Sequence, residues 1–234
     1  MSSAAAPVAI VTGAGRGIGR AVALRLAAAG WQVAACARTA AQLDSLAAEA
    51  AAGTGRCLPL VADVTREDDV LRVVDAAERT LGPLDALVNN AGGGALGPLT
   101  ETLTEQWLQA MHVNATGAFL FSREAARRML PRGRGRIVNL SSIAAHRPAG
   151  GMAAYAASKY AVVGLTEVMA RELRRHGIRV YSLCPGAVDT ELRRAGVPDE
   201  DRSRIMQPQD VAALVAFLLA GEGSGLRELE LEIF

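Results

Sequence analysis

The sequence predicts an α/β chain: a doubly wound parallel sheet of seven strands with helices on both faces. Two observations carry this. Short β-rich apolar runs alternate strictly with longer amphipathic stretches, and the runs are too uniformly apolar to present a wet face. A third supports it, because the unusual residues of the chain fall where these runs end, and open parallel sheets bind ligands beyond the carboxyl ends of their strands.

Taken in order, Val8 to Thr12 is the first strand and ends in a glycine cluster. Arg20 to Ala29 carries Val22, Leu26 and Ala29 on one helix face and is stopped by Gly30. Gln32 to Ala37 is the second strand, followed by an alanine-rich helix over Ala40 to Ala52. Arg56 to Val61 is the third, and Thr65 is placed to cap a helix over Glu67 to Leu81. Ala86 to Val88, Arg136 to Leu140 and Arg179 to Cys184 follow, ending at Asn89-Asn90, Ser141 and Pro185-Gly186. Two long helices are expected at about Trp107 to Leu130 and Ala153 to Arg175. In the seventh strand, Glu228 to Ile233, three glutamates alternate with Leu229, Leu231 and Ile233, as in an edge strand with one solvated face. No linker, repeat or low-complexity break divides 1–234, so one domain is expected.

Composition excludes several function classes. At 234 residues and 50% hydrophobic, the chain can bury roughly 70 to 75% of the surface it exposes when unfolded. A formal net charge of +1 gives no field to gather nucleic acid or an anionic membrane. No run approaches the roughly 18 apolar residues of a membrane span, and Met1 to Pro7 lacks the basic start of an export signal, so a cytoplasmic location is expected. Cys36, Cys57 and Cys184 are far apart and odd in number, and read as core fillers in a reducing compartment with no metal site.

The chemistry gathers at the strand ends. In Thr12-Gly13-Ala14-Gly15-Arg16-Gly17-Ile18-Gly19, Gly13 can turn off the strand, Gly17 can let backbone approach a phosphate, and Gly19 can let a helix pack on the sheet. The spacing differs from the commoner G-x-G-x-x-G, and a tight structural turn is the alternative reading. After the second strand, an NAD site places a carboxylate for the ribose hydroxyl, whereas arginine suits a 2'-phosphate. Ala37 and Arg38 therefore favour NADP(H), with Arg16 as a second cation; the alternative is two solvated arginines. Of 25 basic residues, Lys159 is the only lysine. It lies four residues after Tyr155, on the same helix face, among alanines that leave room around the ring, and that tyrosine comes thirteen residues after Ser142.

The run Thr12 to Gly19, Asn89-Asn90-Ala91-Gly92, Asn114, Ser142, Tyr155-x3-Lys159 and Pro185-Gly186-x3-Thr190 resemble the motifs of the short-chain dehydrogenases/reductases. The likeness is greatest to single-domain members such as 3-oxoacyl-acyl-carrier-protein reductases, and covers Pro7 to about Leu219. It implies a Rossmann-like sheet, a nicotinamide cofactor, and hydride transfer between the cofactor and a small carbonyl or alcohol. Carried over, Tyr155 is the general acid or base, Lys159 favours tyrosinate and holds the nicotinamide ribose, and Ser142 donates to the substrate oxygen. Asn114 matches an asparagine that holds a proton-relay water. Asp63 and Val64 would lie beside the adenine, and Asn90, Ala91 and Gly92 near the adenosine ribose. Val188 and Thr190, after Pro185 and Gly186, would meet the carboxamide. His112, His146 and His176 match no catalytic position and read as surface or helix-end residues. A homodimer or homotetramer is implied, with the two long helices as candidate contacts.

Two departures qualify the resemblance. The segment from Thr190 to Pro208, which folds over substrate in the family, is short and charged, and the sequence ends at Phe234 where many relatives carry a glycine-rich tail. The pocket candidates Gly93, Gly94, Leu96, Ala144, Met152, Gly186 and Leu192 are mostly small and apolar and name no compound. The leading expectation is an NADPH-dependent carbonyl reductase, with 3-oxoacyl compounds as one candidate substrate class. An alcohol dehydrogenase running in the oxidative direction and a non-catalytic dinucleotide-binding regulator are the alternatives.

Overall fold

The computed structural model describes residues 5–51, 55–220 and 230–233. Strand and helix alternate as the apolar spacing dictates. The first half comprises β1 (Val8–Thr12), α1 (Gly17–Ala28), β2 (Gln32–Ala37), α2 (Ala40–Ala50), β3 (Arg56–Val61), α3 (Glu67–Leu81) and β4 (Leu84–Asn89). The second comprises α4 (Thr104–Ala110), α5 (Gly117–Met129), β5 (Gly135–Leu140), α6 (Ala153–Leu173), β6 (Ile178–Pro185), α7 (Glu191–Gly196), α8 (Pro208–Ala220) and β7 (Glu230–Ile233). Every pairing is parallel and the order is β3-β2-β1-β4-β5-β6-β7. The winding reverses between β1 and β4, which opens a crevice at their carboxyl ends.

Both faces of the central strands are covered. Val22, Leu26, Leu43, Leu46, Val215 and Leu218, from α1, α2 and α8, pack on one side. Val70, Val73, Phe121, Met129, Met169 and Leu173, from α3, α5 and α6, pack on the other. Full burial contributes roughly 1.5 to 3 kcal/mol for each large apolar side chain, so this sandwich rather than helix propensity fixes the frame. A polar chain crosses the second layer. Asn89 on β4 donates to Ser122 of α5 (2.9 Å) and to Asn139 of β5 (2.8 Å), and Asn139 donates to Thr166 of α6 (2.8 Å). These buried amides fix α5 and α6 over the strand ends that carry the site.

Some boundaries differ from the sequence reading, each for a local reason. β3 lies at an edge with Arg56, Pro59 and Val61 exposed, so it is not uniformly buried; Pro59 is tolerated because that strand has a partner on one side only. β7 occupies the other edge, as its alternation predicted, with Glu232 exposed between half-buried Leu231 and Ile233; Glu228 and Leu229 lie outside the described residues. Thr65 does not cap α3. Its hydroxyl and amide both donate to the Asp63 carboxylate (2.8 and 2.9 Å), while Asp69 reaches back to the Asp63 amide (2.9 Å). The continuous helix expected from Trp107 is interrupted by a wide π-type turn at Met111–Thr116, which turns Asn114 inward. Among the described residues, no helix is long and apolar enough to cross a membrane.

Candidate active site

The glycine cluster after β1 makes the floor of the crevice. Gly13 (φ +64°) and Gly17 (φ +56°) occupy the left-handed region, and a Cβ on Gly13 would lie 2.8 Å from Ala91 Cα. The turn is braced from β4: the Thr12 hydroxyl accepts the Asn90 and Ala91 amides (3.0 Å each), and Asn90 Nδ2 donates to the Thr12 and Gly13 carbonyls (2.9 and 3.2 Å). The Asn90 side-chain amide thus braces the turn from the cleft wall.

A cleft of about 390 Å³ runs over this floor. Gly13, Gly15, Arg16, Gly17, Ile18, Arg38, Asp63, Val64, Asn90, Ala91, Gly92, Tyr155, Lys159, Pro185 and Thr190 all line it. Gly19 lies behind the floor, where a Cβ would meet the Gly13 oxygen at 2.3 Å. Gly186 donates its amide to Ile233 (2.8 Å), and buried Val188 bridges to Met206, so both shape the loop after β6 instead of the cleft wall. Arg38 is exposed and makes no ion pair among the described residues. Arg16 is paired with Glu191 at the start of α7, a contact that spans the mouth of the cleft with both side chains more than half exposed.

At the inner end, α6 presents Tyr155 and Lys159 one turn apart. Lys159 is only 5% exposed; its Nζ donates to the Leu140 carbonyl (2.8 Å) and stands 5.7 Å from the Tyr155 ring centroid. Ser141, also in the cleft wall, anchors this turn by donating to the Lys159 carbonyl (2.9 Å). The Ser142 oxygen accepts the Ala144 amide (3.2 Å), and its hydroxyl favours ionisation of the nearby Tyr155 phenol. Burial raises the phenol's pKa, and the Ser142 hydroxyl and the charge of Arg193 oppose that rise. Burial also lowers the Lys159 ammonium from 10.5 to about 8. Gly94 permits the substrate-side loop to close on the tyrosine, since a Cβ there would lie 3.1 Å from the ring.

Asn114 is placed behind this pair rather than in the cleft wall. Its Oδ1 accepts the Gly93 amide (2.8 Å), and its Nδ2 donates to the Gly93 carbonyl (2.8 Å) and to Ser158 (2.7 Å). The amide therefore clamps the loop after β4 to α6. Gln42 carries no sequence signal. Thr12 opens the glycine motif, Ser141 closes a strand beside Ser142 and Arg193 is one charge of the segment from Thr190 to Pro208, but no separate role for them is legible there. His112 and His176 are exposed, but His146 is half-buried with its Nε2 3.8 Å from Cys184 Sγ, because the turn after β5 folds it onto β6. All three cysteines are buried and form no disulfide among the described residues, and burial pushes Cys36 up to about 12 and Cys57 up to about 11, as expected of inert core thiols. Among the described residues no cluster of His, Cys, Asp and Glu could hold a metal.

Comparison with known proteins agrees with this geometry. Residues 7–201 match the family described as short chain dehydrogenase. The chain is 41% identical over 193 residues to gluconate 5-dehydrogenase of Gluconobacter oxydans, covering 82% of this chain and 75% of that one. It is 34% identical over 224 residues to a 3-oxoacyl-[acyl-carrier-protein] reductase of Synechocystis, covering 93% and 91%. A variant of actinorhodin polyketide ketoreductase solved with NADPH superposes with a TM-score of 0.91 at 33% identity, over 100% of this chain and 97% of that one. Since the match runs from β1 through α7 and these relatives are reductases and dehydrogenases of one architecture, the chain belongs to the short-chain dehydrogenase family of oxidoreductases.

Proposed function

We propose that the chain is an NADPH-dependent carbonyl reductase in which Tyr155 is the general acid. One observation carries the reading: the Tyr155 phenol opens on the same cleft as the buried Lys159, one helical turn away on α6. The cleft fits a dinucleotide. Its volume is in the range of ligand pockets, roughly 300 to 1,000 Å³, and its floor is a glycine turn leading into the N-terminus of α1, which presents amides and partial positive charge to phosphates. Arg38, exposed and with no ion pair among the described residues, suits a 2'-phosphate, and Ala37 offers no carboxylate to repel one.

When bound, the nicotinamide supplies the hydride that adds to the carbonyl carbon. Tyr155 supplies the proton: its raised pKa keeps the phenol protonated near neutral pH, poised to donate to the carbonyl oxygen. Ser142 steadies the charge developing on that oxygen and, once the proton has left, the tyrosinate. The Lys159 ammonium, held at one corner by Leu140, keeps further N–H donors for the cofactor ribose and stabilises the tyrosinate. Asn114 positions α6 and the Gly93 loop on which this alignment depends.

The test is a panel of ketones and aldehydes offered with NADPH carrying deuterium at the transferable position. The reading predicts deuterium at the carbinol carbon of the product and faster consumption of NADPH than of NADH. An alcohol product without the label, or no carbonyl consumption with either cofactor, overturns it.

A further inference from the structure

Helix α7 carries a guanidinium that the reaction described above does not use. At its start Thr190, a cleft residue, accepts the Arg193 amide (3.2 Å), and Leu192 also lines the cleft. At its end Gly196 abuts Leu96, so closely that a Cβ would lie 3.0 Å from Leu96 Cδ1. Leu96 belongs to the loop whose Gly94 backs onto the Tyr155 ring. The helix therefore bridges the cofactor cleft and the substrate-side loop, with Arg193 between them and 31% of its side chain exposed.

The charges around Arg193 do not balance. Its Nε and Nη2 grip the two oxygens of Glu200 at 2.7 and 2.6 Å, a planar fork on a planar carboxylate. Arg202 donates to that carboxylate too (3.3 Å), and is held independently by the Val197 and Pro198 carbonyls (2.7 and 3.0 Å). The neighbouring Arg194 is matched by Asp189, with two bonds of 2.8 Å. Two guanidiniums thus share one carboxylate, and the surplus positive charge acts on the hydroxyl end of Tyr155.

We infer that Arg193 determines specificity by selecting carbonyl substrates that bear a carboxylate, with Glu200 occupying the fork until the substrate's carboxylate replaces it. This rests on the carbonyl-reductase reading and names the substrate class of that site. The exchange is inexpensive because one carboxylate replaces another on the same donors, and Glu200 keeps Arg202 as a partner.

The 234-residue chain loaded with NADP⁺ is titrated with acetoacetate, levulinate and their methyl esters, binding being followed by saturation-transfer NMR. At one chain length or more, the acid binds roughly tenfold tighter than its ester, the low end for charge-assisted bonds at a partly exposed site. Arg193→Gln removes that preference, whereas Glu200→Gln, which frees the fork, increases it. The inference is overturned if acids and esters bind alike in the unmodified chain. It is equally overturned if both variants shift the preference in the same direction, as an ion pair that merely pins the lid would do. Reduction of the same compounds by NADPH is recorded in parallel; a carboxylate preference in binding with no reduction of any compound counts against the reductase reading and leaves the anion site standing.

Discussion

Replacing Lys159 by Met separates the stability of the fold from its chemistry. The ammonium is buried at 5% exposure, and its pKa falls from 10.5 to about 8. At about 1.4 kcal/mol per pKa unit, holding it charged costs the fold about 3 kcal/mol. Methionine has a similar unbranched shape and removes that penalty, but it orphans the Leu140 carbonyl, which costs about 1 to 3 kcal/mol. The net expectation at pH 7 is a variant about 1 kcal/mol more stable and without activity. The pH dependence is the sharper signature. Because the folded-state pKa is depressed, the unfolded chain binds more protons between about pH 8 and 10.5, and the stability of the unmodified protein rises with pH across that window. The penalty is fully present below pH 8, so the advantage of Lys159→Met should shrink by about 3 kcal/mol between pH 7 and 10.5. Urea unfolding of both proteins at several pH values measures this difference, and other titrating groups cancel in the subtraction. Parallel stability curves would refute the argument that Lys159 is a charge held in the interior.

Further predictions concern the cleft. NADPH should bind roughly tenfold tighter than NADH, the low end for charge-assisted bonds because Arg38 is exposed, and Ala37→Asp with Arg38→Ala should reverse the order. Nicotinamide fluorescence titrations check this, and equal affinities in the unmodified protein would make Arg38 a mere surface charge. Glu191→Gln releases Arg16 from a solvent-exposed pair that contributes at most about 1 kcal/mol, so NADPH should bind a few-fold tighter at low salt, with the gain fading as salt is added. Weaker binding in that titration would show that the pair serves the cofactor by staying closed. Asn114→Ala removes three short bonds at a buried position and should lower both turnover and stability, the latter by about 2 to 4 kcal/mol; urea unfolding that leaves stability unchanged would exclude the clamp.

What was legible in the sequence follows from how local each signal is. The glycine turn, the i, i+4 spacing of Tyr155 and Lys159, and the alternation of β7 each sit within a few residues, where period and backbone conformation dictate the outcome. The wide turn at Met111–Thr116 depends on Gly93 and Ser158, which lie 21 and 44 residues from Asn114 in the chain, and no helical period encodes it. Arg16 was readable as a cation beside the glycines, but its partner Glu191 is 175 residues away. Thr65 shows the reverse failure: a good local cap signal lost to an equally local competitor, the Asp63 carboxylate. Arg193 was one charge among many in a charged lid until folding set it against Glu200 and Tyr155.

The central claim is that the Tyr155 phenol supplies the proton for carbonyl reduction. Tyr155→Phe removes that hydroxyl and leaves the ring against Gly94 and the cleft wall intact. On the first ketone the unmodified protein reduces, its single-turnover rate with NADPH is compared with that of the variant, and NADPH affinity is titrated on the same samples. A rate at least 10²-fold lower, with affinity unchanged within about threefold, is the predicted result for a lost acid-base group. A variant that turns over at near the unmodified rate would contradict the claim.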